Sequence, residues 1–375
     1  MGVIRVLLAL SVVIAHSNPI FGIELVGGPV AVQAFYMISG FYMALILHEK
    51  YKKPSQYGLF ISNRFLRIYP IYWFILLCSI GLGIIVGMDS GNFLGLEALK
   101  GDAASMSFST KSAILWSHLV LFGQDVFMFL GLNLPSGNLE FTSNFWEHPA
   151  PAFKYLLVPQ AWTIGVELMF YLIAPFLVRR RLRYLLLLMF ASALLRILFY
   201  QQGFSHDPWS NRFFPFELFF FLAGSISYRI YRKADLYSLR EPGIPLLFVC
   251  IAYLLLYSSL PFSAGLKAVL LYGLIFISMP FIFLALKTNR FDREIGEYSY
   301  TIYLSHVLII GLLQAYDIQF LDLATTAIIG SFAFSYLIIR FISNPIEQIR
   351  QARVKKKKNY AHKITHTYPR ETVKL

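Results

Sequence analysis

Charged residues are scarce in this chain. Asp, Glu, Lys and Arg together make up 14% of its 375 residues, where a soluble domain carries about 25%. Alongside 57% hydrophobic and 17% aromatic residues, that shortage excludes an ordinary soluble protein and points to an integral membrane protein. Acidic residues are the scarcer sign, 20 against 33 basic, for a formal net charge of +13. The cations are dispersed between apolar runs, the pattern of topology signals and anchors on anionic lipid and not of a nucleic-acid face. Only two cysteines occur, Cys78 and Cys250, both inside apolar runs, so no disulfide framework is implied. Alternating apolar and polar residues are missing, which excludes a transmembrane barrel and favours a helix bundle. The first apolar run lacks a small-residue cleavage site and reads as a retained span. There is no internal repeat, Walker sequence, nucleophile elbow, dinucleotide fingerprint or cluster with metal-ligand spacing.

Apolar runs of helical length recur at Val3–Ser17, Val26–His48, Ile68–Met88, Ala161–Val178, Tyr184–Gln201, Phe213–Arg229, Gly243–Leu260, Leu266–Leu286, Tyr298–Tyr316 and Leu323–Ile342. They predict an all-α integral membrane protein, a bundle of about ten transmembrane helices, several short for a core that needs about 20 residues. Basic residues orient it. Lys50, Lys52, Lys53, Arg64 and Arg67 fall in one loop, and Arg179, Arg180, Arg181 and Arg183 in another. Arg229, Arg232, Lys233 and Arg240 form a third group, Lys287, Arg290 and Arg293 a fourth, and Lys355–Lys358 follow the last run. With ten spans and a cytoplasmic N-terminus all of them face the cytoplasm, and so does the C-terminus. Counting Ser112–Leu130 as a further span would turn Arg179–Arg183 outward, so that segment is expected in the outer interface or re-entrant. The largest outer loop, Gly91–Gln160, carries Glu140, Glu147 and His148 and is expected to cap the bundle or contact an acceptor. Residues 1–345 are expected to form the membrane domain and 346–375 a basic, disordered cytoplasmic tail.

Ionisable side chains at membrane depth persist where they face a cavity or a partner. Arg5 and His16 lie eleven residues apart in the first run, on one helical face and about 16 Å apart along the axis. Arg5 reads as a snorkelling anchor or as part of a site. His16 reads as an interfacial cap or as a neutral imidazole that takes a proton from an attacking hydroxyl. Arg64 and Arg67, three apart beside Pro70, are membrane-boundary anchors or partners for nucleotide phosphates. Ser39 and Gly40 lie in an aromatic run, where small residues ordinarily mark close helix packing. Glu167 needs a partner or a proton, met by a structural hydrogen bond, by orienting His16 or by bonding an acceptor. Glu217, following Pro215, is a weaker case of the same kind. His306 is a core imidazole bonded to a hydroxyl such as that of Ser305, or a second catalytic group.

Five segments then combine in order: Arg5 with His16, Gly27 to Phe41, Asn63 to Pro70, Trp162 to Tyr171 and Gly296 to His306. Together, over Arg5 to Glu347, they resemble the acyltransferase-3 family of bacterial membrane O-acyltransferases. The resemblance implies a multi-pass O-acetyltransferase of the bacterial cytoplasmic (inner) membrane. It would move an acyl group, acetyl foremost, from cytoplasmic acyl-CoA to a hydroxyl of an extracytoplasmic glycan such as an exopolysaccharide or O-antigen. It gives His16 the catalytic role with Arg5 as companion, lets Arg64 and Arg67 engage coenzyme A, and passes the acyl-carrying arm beside Ser39 and Gly40. Acetyl-CoA is then the donor substrate, no metal is expected, and the partners are a surface polysaccharide or glycolipid and membrane lipids, with no nucleic acid. The chain departs from the commoner family pattern at Ala31 and at Gln33-Ala34, where glycine and an acid with a bulky residue are frequent. A transporter of a glycan, lipid or small metabolite is the alternative, and it expects inverted repeats that the chain lacks. Direct transfer and a covalent acyl-His intermediate both stay open.

Overall fold

Helix boundaries follow local chemistry along the chain. The structure, a computed structural model, describes residues 1–233 and 241–354. Side chains of Ser107, Ser263, Asn289 and Asp322 each accept a backbone N–H from the first turn of the helix that follows, satisfying donors that have no partner within the helix. In order the helices are α1 (Gly2–Ala15), α2 (Gly28–Glu49), α3 (Tyr57–Ser90), α4 (Glu97–Asp102), α5 (Phe108–Val120), α6 (Trp162–Leu177), α7 (Leu182–Gln201), α8 (Phe214–Lys233), α9 (Gly243–Leu256), α10 (Ala264–Leu286), α11 (Arg290–Ala315) and α12 (Leu323–Ile338). One antiparallel hairpin, β1 (Leu130–Asn133) with β2 (Asn138–Phe141), pairs Leu130 with Phe141 and is the only sheet among the described residues. The all-α membrane architecture is as expected.

Among the described residues six helices, including α2, α3, α7 and α10, are long and apolar enough to cross a membrane. The other expected spans fall short in one respect each. α1 and α9 have 14 residues apiece, about 21 Å of helix, while α8 and α11 are long enough but more polar. Contacts at the helix ends sort the bundle into two faces. At one, Met1 meets Asp292 at the start of α11, Arg179 donates to the Leu47 carbonyl at 2.9 Å, and Arg229 donates to that of Val178 at 2.8 Å. This Met1 end gathers the basic clusters of the described residues. Arg240 and Lys355–Lys358 lie outside those residues.

The opposite, His16 end is covered by residues 91–161. Trp209 donates to the Ser143 carbonyl at 2.9 Å, Tyr155 donates to Asp102 at 2.8 Å, and His148 bridges to Glu140 at 3.2 Å, fixing the cap. The segment Ser112–Leu130 forms no continuous span. α5 ends at Val120, and the chain turns back at Leu121 and Gly123, both at positive φ. Trp73 of α3 donates to the Leu119 carbonyl at 3.0 Å, and Gln124 donates to Tyr72 at 2.9 Å. Those α3 residues lie near the middle of a 34-residue helix, so the segment packs at mid-length of α3 and does not run past it. The tail expectation needs correction at its start. α12 continues through a π-turn, Ile339–Ser343, and stays helical to residue 354, so residues 346–354 belong to the folded bundle.

Candidate active site

A cavity of about 350 Å³ runs up the bundle from the Met1 end, walled by α1, α2, α3, α6, α10 and α11. Its lower part carries Arg5, Arg64, Arg67, Lys287 and Arg293. Of the acids there, Asp292 is engaged by the Met1 amine at 2.5 Å and by the Val3 N–H at 3.1 Å. Arg67 donates through Nη2 to both carboxylate oxygens of Glu297 at 3.3 Å. Arg64, one turn earlier on the same face, has no ion pair among the described residues, and its Nε is buried without a hydrogen-bond partner. Arg5 also lines this part and has no ion pair among the described residues. The mouth therefore has cationic groups in excess, the arrangement that favours a polyanion.

Higher up, Ser39 of α2 donates a very short hydrogen bond to Glu167 of α6, and its hydroxyl lies 3.2 Å from that of Tyr171. Glu167 is thus partnered within the cavity wall. Among the described residues it makes no hydrogen bond to His16, whose Nδ1 is bonded to the Val12 carbonyl at 2.9 Å. Gly40 does not line the cavity. It faces α8, where a Cβ would stand 2.8 Å from the Phe221 carbonyl carbon, and Gly224 meets Met37 in the same way. The glycine lets the backbones of α2 and α8 touch, a packing role in place of a wall for the cavity.

The cavity ends at Phe35, Tyr36, Thr163 and Tyr303. Tyr36 donates to the Thr163 carbonyl at 3.4 Å, Tyr303 to that of Gln160 at 3.1 Å, and the Phe35 ring lies edge-on to Tyr303 at 6.2 Å. His16 and His306 lie behind this single aromatic layer. The Tyr303 and His306 rings are 5.8 Å apart, and the His306 and His16 rings 5.0 Å. Eleven residues of α1 thus carry the chain from the cationic mouth to an exposed imidazole at the helix C-cap. A carbonyl only accepts, which settles both tautomers: Nδ1–H of His16 donates to Val12, and Nδ1–H of His306 to Tyr303 at 2.7 Å. A ring so bonded carries, when neutral, its lone pair on Nε2. That of His306, 0% exposed, has no partner, and Ser305 does not supply one.

Glu217 is off this path. Its Oε1 accepts from Arg196 at 2.7 Å and from Gln33 at 3.2 Å, and Tyr272 donates to Gln33 at 2.5 Å. A carboxylate at position 33 would face Glu217 directly, so an amide suits this crossing. His118 is structural as well, its Nδ1 on the Ile114 carbonyl and its Nε2 accepting the Leu157 N–H. Glu297, Tyr171 and Tyr303 belong to the site, although the sequence did not single them out. Tyr171 follows Glu167 by four residues and Tyr303 precedes His306 by three, helical spacings that signal a shared face.

Fold and site together define a multi-pass membrane protein with a cation-rich cavity leading toward an imidazole pair. Residues 1–340 match the family model described as "Acyltransferase domain", that of the acyltransferase-3 family, and the chain belongs to that family. It is a membrane acyltransferase. It is also similar to an "Uncharacterized protein" of Aquifex aeolicus (strain VF5), 27% identical over 207 residues that cover 52% of this chain and 89% of that protein. No solved structure matches the chain.

Proposed function

We propose that this acyltransferase takes an acyl group, acetyl foremost, from acyl-CoA at the Met1 end and gives it to a hydroxyl of a surface glycan at the His16 end. α1, α8, α9 and α11 complete ten spans in the inner membrane, with the Met1 end in the cytoplasm, where the positive-inside rule puts its basic clusters. The observation that supports this is the alignment of a cation-rich cavity with an exposed imidazole one aromatic layer beyond its end. The nucleotide phosphates meet Arg64 and Arg67, and Arg5 adds positive charge along the route. The pantetheine arm then runs past Ser39, whose hydroxyl is held by Glu167, to the layer formed by Phe35 and Tyr303.

The chemistry balances without a metal. Nε2 of His16 takes the proton of the acceptor hydroxyl as its oxygen attacks the thioester carbonyl. The C–S bond then breaks, and the coenzyme A sulfur leaves with the proton that His16 returns. Phe35 and Tyr303 must turn aside for the carbonyl to meet the hydroxyl. The uncommitted Nε2 lone pair of His306, on a ring 5.0 Å from that of His16, stabilises the His16 imidazolium electrostatically while that charge exists. Purified protein carrying His16→Gln, incubated with labelled acetyl-CoA and acceptor glycan, is expected to lose transfer by about 10²–10⁴-fold. Transfer at the wild-type rate would refute the mechanism, and unchanged glycan acetylation in cells lacking the protein would refute the acceptor class.

A further inference from the structure

The helical continuation of α12 lies against the cavity mouth. Arg353 donates to Ser62 at 3.0 Å and to Asn63 at 3.3 Å, and Lys50 donates to Gln351 at 3.4 Å. These bonds lay residues 350–353 along the turn of α3 that carries Arg64 and Arg67. Arg350, 7% exposed, contacts Glu347, and its Nε is buried without a hydrogen-bond partner among the described residues. A narrow cleft lined by Arg67, Glu297, Tyr300, Glu347 and Arg350 shares its first three residues with the main cavity, so the two adjoin at those side chains. Arg350 is close enough to Arg64 and Arg67 for their charges to oppose its own. Three guanidiniums therefore share one partly buried corner with two carboxylates, Glu297 and Glu347. Like charges brought out of water need a counter-ion, and planar guanidiniums with free N–H edges suit phosphate oxygens.

We propose that Arg350 joins Arg64 and Arg67 in a phosphate-binding clamp that holds the nucleotide end of the donor, a step that rests on acyl-CoA being that donor. Arg350 lies beyond the residues that match the family model, so family membership assigns it no role. The phosphate of an anionic lipid headgroup offers the same chemistry as the donor's phosphates, and the test separates the two.

The test is calorimetric titration of the full-length protein in phosphatidylcholine nanodiscs with coenzyme A and, separately, with pantetheine, which carries no phosphate. Arg350→Gln is expected to weaken coenzyme A binding about tenfold, the loss of one charge-assisted contact, and to leave pantetheine binding unchanged. Glu347→Gln, which releases Arg350 from its neighbour, is expected to tighten coenzyme A binding and covers the case in which Arg350→Gln does not fold. Unchanged coenzyme A affinity in the folded variants overturns the clamp but leaves the donor assignment standing. A wild-type protein that binds neither ligand overturns the donor assignment and the clamp together. An Arg350 effect that appears only with anionic phosphatidylglycerol discs, and not with coenzyme A in neutral ones, assigns the corner to lipid and also overturns the proposal.

Discussion

Gly40→Ala separates helix packing from passage of the donor. A Cβ on Gly40 would stand 2.8 Å from the Phe221 carbonyl carbon and 2.9 Å from its Cα, and one on Gly224 would stand 2.8 Å from both the Met37 carbonyl carbon and the Phe41 nitrogen. Carbon atoms rest at about 3.5–4.0 Å, so either methyl forces α2 and α8 apart by about 1 Å. The parting strains the 3.2 Å bond from Ser225 to the Gly40 carbonyl and the stacking of Tyr36 on Phe221 at 4.6 Å. Overpacking of this kind costs about 1–3 kcal/mol. Gly40→Ala and Gly224→Ala are each expected to lower the midpoint of thermal unfolding in detergent. The double variant is expected to lose less than the two single losses together, because the helices are already separated. Were the acyl arm to pass beside Gly40, that variant alone would change, losing longer acyl donors while its unfolding midpoint held. Unshifted midpoints in both single variants, together with altered acyl-length preference in Gly40→Ala, would refute the packing argument.

Four further outcomes follow from the same geometry. Arg196→Met leaves Glu217 buried without its cation and is expected to destabilise the bundle by about 3–5 kcal/mol; adding Glu217→Gln should recover most of it, and thermal unfolding of the pair decides. His306→Gln is expected to slow acetyl transfer about tenfold, and its addition to His16→Gln should cost little more, since the imidazoles act as a unit; full additivity in labelled transfer would separate them. Ser39→Ala removes the hydroxyl bonded to Glu167 and is expected to weaken donor binding about tenfold, read by coenzyme A titration. The Glu140 carboxylate in the cap is held below its ordinary range, first by the Asn133 amide and then by His148. With the folded value depressed, that support is present above the ordinary carboxylate range and lost as pH falls through the lowered value. Amide protection factors of residues 130–141, corrected for intrinsic exchange, should therefore stay flat from neutral pH down to about 4.3, the free glutamate value, and fall only below it; a step near neutral pH would count against this.

Some of the site is legible in the sequence because helix geometry is short-ranged. Arg5 and His16 project from one face whatever surrounds them, and Arg64 with Arg67 does the same. The partners were not legible. Glu167 meets Ser39 across 128 positions, a contact set by the packing of α2 on α6 and by nothing near either residue. Gly40 showed its size but not its direction, since neighbouring residues on one helix face different partners. Glu297 was passed over for a definite reason. Hydropathy began the ninth run at Tyr298, whereas α11 begins at Arg290, and its first turns carry Arg290, Asp292, Arg293, Glu294 and Glu297. Charges that suit a membrane boundary defeat an apolar window. That misplaced boundary hid the partner of Arg67.

The shortness of α1 has a consequence for the proposed reaction. Its 14 residues rise about 21 Å, some 9 Å less than a hydrocarbon core of about 30 Å. In the proposed orientation, with Met1 on Asp292 at the cytoplasmic boundary, His16 sits below the outer boundary, not at it. A full-length first helix would carry the imidazole up to the membrane surface and away from any donor held at Arg64 and Arg67. The short one keeps it about 16 Å above Arg5, behind Phe35 and Tyr303, with the imidazole itself exposed. The apolar first run that falls short of a normal span is thus what brings a base made accessible to an outer hydroxyl within reach of a thioester loaded from the opposite side. Inserting one helical turn between Arg5 and His16 is expected to abolish transfer while leaving coenzyme A binding intact. Retained transfer would show that depth does not matter.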